Sequence, residues 1–197
     1  MSGVVDTPDG ATPLDPDERE GLRFRHVTTR DELNELEQAN VQEGLLWLAR
    51  RRKSDVLSER FMRELHRRMF GEVWRWAGAF RLTEKNIGID PLHIAVELRK
   101  LLDDARYWSE HRTYAPLEAA ARFHHRLVAI HLFANGNGRH ARIAADLYLE
   151  THFDHPPIDW AGGHDLLHTN ERRDAYIRAL RAADAGEYGA LLTFVGV

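Results

Sequence analysis

Apolar positions recur along this chain at helical spacing far more often than in strict alternation. Leu33, Leu36, Val41, Leu45 and Leu48 follow one another at near-helical intervals, and Thr29 with Glu32 has the spacing of a capping box. A helix is therefore predicted to begin near Thr29. A second is predicted over 58–74, where Phe61, Leu65, Met69 and Val73 are spaced by four. Asp90-Pro91 reads as an N-cap followed by proline at the first helical position, opening a helix to about Glu110. Ala119, Phe123, Leu127 and Ile130 form one stripe of a helix over 116–130, and further helices fit 139–150, 170–183 and the C-terminus.

The segment 76–89 breaks this pattern. Gly78, Asn86 and Gly88 interrupt it, and Phe80, Leu82, Ile87 and Ile89 alternate with polar residues, which predicts a short β-hairpin. Pro8, Gly10, Pro13 and Pro16 punctuate an acidic start that reads as a tail. The expected fold class is mainly α, one compact helical bundle with a small β-hairpin flap. The expected division is a flexible tail at 1–20, an N-terminal helical segment at 21–53 and a core at 54–197.

Composition narrows the function classes. The chain has 197 residues, with 43% hydrophobic and 29% charged, as expected of one globular domain. Its 27 basic and 31 acidic residues give a formal net charge of −4, which argues against a general nucleic-acid binder. The run Arg50-Arg51-Arg52-Lys53 reads as a solvated helix end. There is no cysteine, so disulfides and thiolate chemistry are excluded. No apolar run approaches the roughly 18 residues of a membrane span, and the acidic, polar N-terminus is unlike a signal peptide. A cytoplasmic protein with neither membrane nor nucleic-acid partner is expected. Twelve histidines, among them His124, His125, His152 and His155, invite a zinc reading. No His-Glu-x-x-His is present, so they are read as scattered surface residues.

The candidate chemistry lies between two predicted helices, in the run His131-Leu132-Phe133-Ala134-Asn135-Gly136-Asn137-Gly138-Arg139-His140-Ala141-Arg142. Two glycines let successive backbone N–H groups converge on an anion, and the helix that follows adds its positive dipole end. Arg139 and Arg142 are three apart, hence on one helix face, and both present planar forks that suit phosphate. No Gly-x-x-x-x-Gly-Lys-Ser/Thr occurs, so this would be a polyphosphate site built without a P-loop.

This run resembles the signature of Fic proteins, His-x-Phe-x-Asp/Glu-Gly-Asn-Gly-Arg-x-x-Arg, with eleven of twelve positions compatible. The segments Pro13 to Glu18, Glu20-Gly21-Leu22 and Glu32 to Asn40 look like the Fic subfamily called mobile mystery protein B. The resemblance implies a helical bundle with a flap before the motif, and an adenylyltransferase moving AMP from ATP to a Tyr, Ser or Thr hydroxyl of a protein, itself included. It implies His131 as general base and Phe133 as a packing residue under the loop. Gly136, Asn137, Gly138, Arg139 and Arg142 would hold the nucleotide. ATP is the implied substrate and Mg2+ the implied cofactor.

One position departs. Asn135 stands where the pattern has an acidic magnesium ligand, and an amide oxygen brings no charge. An alternative is therefore a weak or inactive Fic-fold module that binds nucleotide or protein. The family's inhibitory pattern Ser/Thr-x-x-x-Glu-Gly/Asn is met in part by Glu43-Gly44, with Ala39 at the hydroxyl position. Glu43 is thus a candidate regulatory residue, expected to pair with Arg142. A different enzyme class is suggested by Gly136 to Ala141, which fits Gly-x-Gly-x-x-Gly/Ala with Asp154 and Asp159 about 20 residues on. A Rossmann reading fails because the preceding segment has a helical stripe and fewer than 60 residues follow.

Overall fold

The computed structural model describes residues 13–50, 55–162, 166 and 170–197. They form eight α-helices: α1 (Pro16–Arg19), α2 (Arg30–Ala49), α3 (Glu59–Phe70), α4 (Ile94–His111), α5 (Pro116–Ile130), α6 (Asn137–Phe153), α7 (Glu171–Asp184) and α8 (Gly189–Val195). A 3₁₀ turn at Pro91–His93 leads into α4. The mainly helical expectation holds, and the sequence signals for helix starts are used as read. Thr29 caps α2 in a full capping box with Glu32, Ser58 caps α3, and Pro116 opens α5. Asn170 caps α7 through its side chain.

The helix α5 is the centre of the molecule. It packs against α4, α6, α7 and α8, and α2 packs on α3 at one side. The core is continuous through Leu65, Met69, Phe70, Leu98, Leu101, Phe123, Leu127, Phe133, Ala141, Tyr148 and Leu191. Alanines at 119, 120, 121, 141, 144 and 145 are all buried, and their small size lets α5 and α6 approach closely.

Three expectations change. Among the described residues the segment 76–89 forms no strand; it is an irregular flap. Its would-be ladder groups are used elsewhere. The Arg81 N–H donates to the carbonyl of Leu132 at 3.0 Å. The Arg81 guanidinium is buried and donates to the carbonyls of Thr83 (2.8 Å) and Ile89. Second, the predicted tail contains the turn α1, held to the flap by Lys85, whose ammonium pairs with Asp15 (2.8 Å) and Glu18. Residues 1–12 and 51–54, including most of the basic run, lie outside the described residues.

Third, His124 and His125 are buried, not at the surface. Each has a structural partner: His124 Nε2 meets the Tyr176 hydroxyl at 2.9 Å, and His125 Nε2 meets Asp184 at 2.8 Å.

Candidate active site

Helix α5 ends at His131, which adopts the left-handed conformation with φ 57°. Its N–H donates to the Leu127 carbonyl at 3.2 Å, so the residue that ends the helix is also the candidate base. Arg81 fixes this backbone from the flap. Its Nε donates to the His131 carbonyl at 2.6 Å and an Nη to the Ile130 carbonyl at 3.4 Å. Gly88 closes the flap over the same point: a Cβ there would lie 2.6 Å from the His131 Cβ. The His131 side chain is buried, and burial lowers its pKa to about 4, with the Arg81 and Lys85 charges acting in the same direction. Its imidazole is therefore neutral at pH 7, able to accept a proton.

The loop after His131 is held from inside. Phe133 is buried and stacks on His66 at 3.7 Å between ring centres, as a packing residue should. Gly78 N–H donates to His66 Nδ1, so Nε2 carries the proton and donates to the Asn135 carbonyl at 3.0 Å. Burial, then the neighbouring His140 and Arg139, keep the His66 pKa well below its ordinary value, which preserves this neutral form. The Asn137 side chain clamps Phe133 in both directions: its Oδ1 accepts from the Phe133 N–H at 2.9 Å and its Nδ2 donates to the Phe133 carbonyl at 2.7 Å. That side chain is committed to the loop, leaving its backbone N–H as the group to face a ligand.

Gly136 and Gly138 serve different ends. Gly136 has φ 80°, and a Cβ there would strike the Phe70 ring at 2.6 Å. Gly138 sits in the first turn of α6, where a Cβ would meet Arg142 Nη1 at 3.6 Å and the Tyr176 hydroxyl at 4.0 Å. A methyl at 138 would make only ordinary contacts, so the packing tolerates it. No side chain caps α6, which leaves the N–H groups of its first turn and the positive end of its dipole to an anion. Arg142 lies over the Tyr176 ring at 5.6 Å. Backbone donors at a helix start with a guanidinium beside them are the groups that an anion site would need.

Arg139 is placed differently. It stacks over Phe70 at 4.8 Å and pairs with Glu37 of α2, whose side chain is 1% exposed. Glu37 also accepts from Asn135 Nδ2 at 2.8 Å and from Trp74 Nε1 at 2.7 Å. One buried carboxylate thus holds both Asn135 and Arg139.

Among the described residues no ion pair joins Glu43 to Arg142. Glu43 is exposed and lines a surface groove with Trp47, Arg50, Arg68 and Arg75. It lies six residues beyond Glu37, about 120° around the helix, on a face turned from the motif. The acid that does reach a motif arginine, Glu37, interrupts the inward face formed by Leu33, Asn40, Val41 and Gly44. A charged residue in phase with buried positions was the available signal. Arg81 carried none beyond its place in a segment rich in breakers.

Among the described residues no group of three or more His, Cys, Asp or Glu side chains could hold a metal by itself. A divalent cation here would arrive with the phosphates of a nucleotide, as magnesium commonly does, and the Asn135 amide oxygen is the protein atom suited to it.

Comparison with known proteins fits this geometry. A model of the Fic/DOC family matches residues 56–149. Protein adenylyltransferase fic-1 of Caenorhabditis briggsae is 30% identical over 136 residues, covering 67% of this chain and 25% of that protein. Protein adenylyltransferase Fic of Drosophila grimshawi is 28% identical over 136 residues, covering 67% and 26%. The chain spans about a quarter of the length of these curated relatives. The N-terminal FIC domain of Bep8 from Bartonella sp. 1-1C aligns with a TM-score of 0.68 at 14% identity, covering 88% of this chain and 92% of that one. BepC of Bartonella tribocorum with bound AMPPNP aligns at 0.69 with 16% identity, covering 92% and 96%. These structures share the fold. The match to the family model identifies residues 56–149 as a Fic/DOC family domain.

Proposed function

We propose that this protein transfers AMP from ATP to a hydroxyl of a protein. What supports the reading is that His131 ends α5, the uncapped α6 begins six residues on, and Arg142 follows in its second turn. The target hydroxyl, of a Tyr, Ser or Thr, attacks the α-phosphorus. The new O–P bond forms as the bond from the α-phosphorus to the bridging oxygen of the β-phosphate breaks. Pyrophosphate leaves, and His131 takes the hydroxyl proton. The N–H groups of Asn137 and Gly138 hold the α- and β-phosphates, with Arg139 and Arg142 at the β- and γ-phosphates. Mg2+, carried by the nucleotide, supplies charge neutralisation on the phosphates. Related proteins are named adenylyltransferases, and BepC binds AMPPNP, which supports ATP as substrate.

The same reading takes the chain as a member of the mobile mystery protein B subfamily, working in the cytoplasm on a protein partner or on itself. The test uses ATP labelled at the α- or the γ-phosphate, with a cell extract. Protein labelling from the α position alone supports AMP transfer; labelling from γ alone contradicts it.

Asn135 favours a second reading, a nucleotide-binding module without chemistry. ATP binding by calorimetry with no labelled protein supports that reading. Restraint by Glu43 is tested by Glu43→Ala: higher self-labelling than the parent supports it, and equal labelling removes it.

A further inference from the structure

The Asn135 side chain donates a hydrogen bond to a carboxylate. Glu37 Oε1 accepts from Asn135 Nδ2 at 2.8 Å and from Trp74 Nε1 at 2.7 Å, and Oε2 pairs with Arg139. A carboxylate only accepts, so it forces the amide nitrogen toward itself. The amide oxygen, the one hard-oxygen donor at this position, is then turned away from α2. Without Glu37 the amide has no such constraint.

The same carboxylate sets the local charge. The start of α6 gathers Arg139, Arg142 and the helix dipole, a positive environment that suits phosphate and repels a cation. Glu37 offsets Arg139 from behind the loop. It is an unsuitable direct ligand, because both oxygens are taken by three donors and the side chain is sealed between α2, Trp74 and the motif.

Resting on the nucleotide-binding reading above, we propose that Glu37 is a positioning residue for a divalent cation carried by the nucleotide. It orients the Asn135 amide oxygen and supplies, across 98 residues of sequence, the negative charge that an amide lacks. Partners of this kind behind a metal ligand typically change affinity by 10- to 100-fold.

The experiment is a Mn2+ titration followed by electron paramagnetic resonance, with the full chain and a non-hydrolysable ATP analogue. Analogue affinity in metal-free buffer and the thermal midpoint are measured alongside. Glu37→Gln is expected to weaken Mn2+ binding by about 10-fold or more with no loss of metal-free analogue affinity. Asn135→Ala, which leaves the Glu37–Arg139 pair in place, is expected to do the same, and it decides the matter if Glu37→Gln fails to fold. Parent-like Mn2+ affinity in either folded variant overturns the proposal. So does tighter analogue binding in Glu37→Gln with Mn2+ affinity unchanged, since Glu37 would then only compete for Arg139. A parent protein that binds no analogue at all overturns the nucleotide reading as well.

Discussion

Glu37 and Arg139, 102 residues apart in sequence, form an ion pair whose side chains are 1% and 12% exposed. It ties α2, outside the segment matched to the family, to the motif helix α6. Removing one partner of such a pair leaves the other charge buried and uncompensated. Glu37→Ala is expected to lower unfolding stability by about 3–5 kcal/mol, read from urea denaturation at pH 7.5. A loss below about 1 kcal/mol, the range of an exposed pair, would show the contact to be peripheral.

The two motif glycines should separate stability from binding. Gly136→Ala places a methyl against Phe70 in a left-handed backbone and is expected to cost more than about 1 kcal/mol. Gly138→Ala meets no such obstacle and should be neutral to folding, yet it fills the space before Arg142 and should weaken ATP binding. Calorimetry and denaturation on both variants check the contrast. Equal effects of the two on either quantity contradict it.

Acid should unfold this protein by charging histidines. Burial lowers the pKa of His131 and His140 to about 4 and that of His124 to about 3, and holds that of His66 well below its ordinary value. Unfolded, each titrates near 6.5. Between that value and about 4 the unfolded chain binds more protons, so stability is full above pH 7 and falls as pH drops. Asp146 opposes this. Burial raises its pKa to about 6, so the folded state binds its proton first, but it is one group against four. Stability at pH 5 is expected to be lower than at pH 7.5 by at least about 3 kcal/mol. Equal stabilities would mean that these histidines are hydrated.

Arg81 should act on His131 in two ways. It holds the carbonyls of Ile130 and His131 and places a positive charge beside the imidazole. The imidazole also feels Lys85, while Glu18 and Asp15 are taken up by that lysine. Removing the Arg81 charge raises the His131 pKa. In Arg81→Met the acidic limb of the pH profile of transfer should therefore move to higher pH, with a lower plateau from the loosened loop. A lower plateau with an unmoved limb would leave Arg81 a purely structural role.

The helices were legible because their signals are local. Thr29, Ser58, Pro116 and Asn170 sit at helix starts, and the stripe of α5 faces the core as its spacing implies. The motif residues were legible for the same reason, being twelve consecutive positions. What escaped depends on contacts distant in sequence. The flap reads as a hairpin by alternation, yet the Arg81 backbone N–H donates to a carbonyl 51 residues away rather than across a ladder. Glu43 matches a short pattern, but helix phase gives the motif contact to Glu37. Asn137 looks like a phosphate ligand in sequence, whereas its side chain closes the loop on Phe133.

The proposed transfer depends on His131 taking the proton from the attacking hydroxyl. The most direct test is the rate of AMP incorporation from α-labelled ATP by His131→Ala, with ATP affinity measured on the same protein. A positioned base contributes about 10²–10⁴-fold, so transfer should fall by at least about 100-fold with ATP affinity within a few-fold of the parent. Transfer at the parent rate by a folded, ATP-binding His131→Ala variant would mean that His131 is not the base.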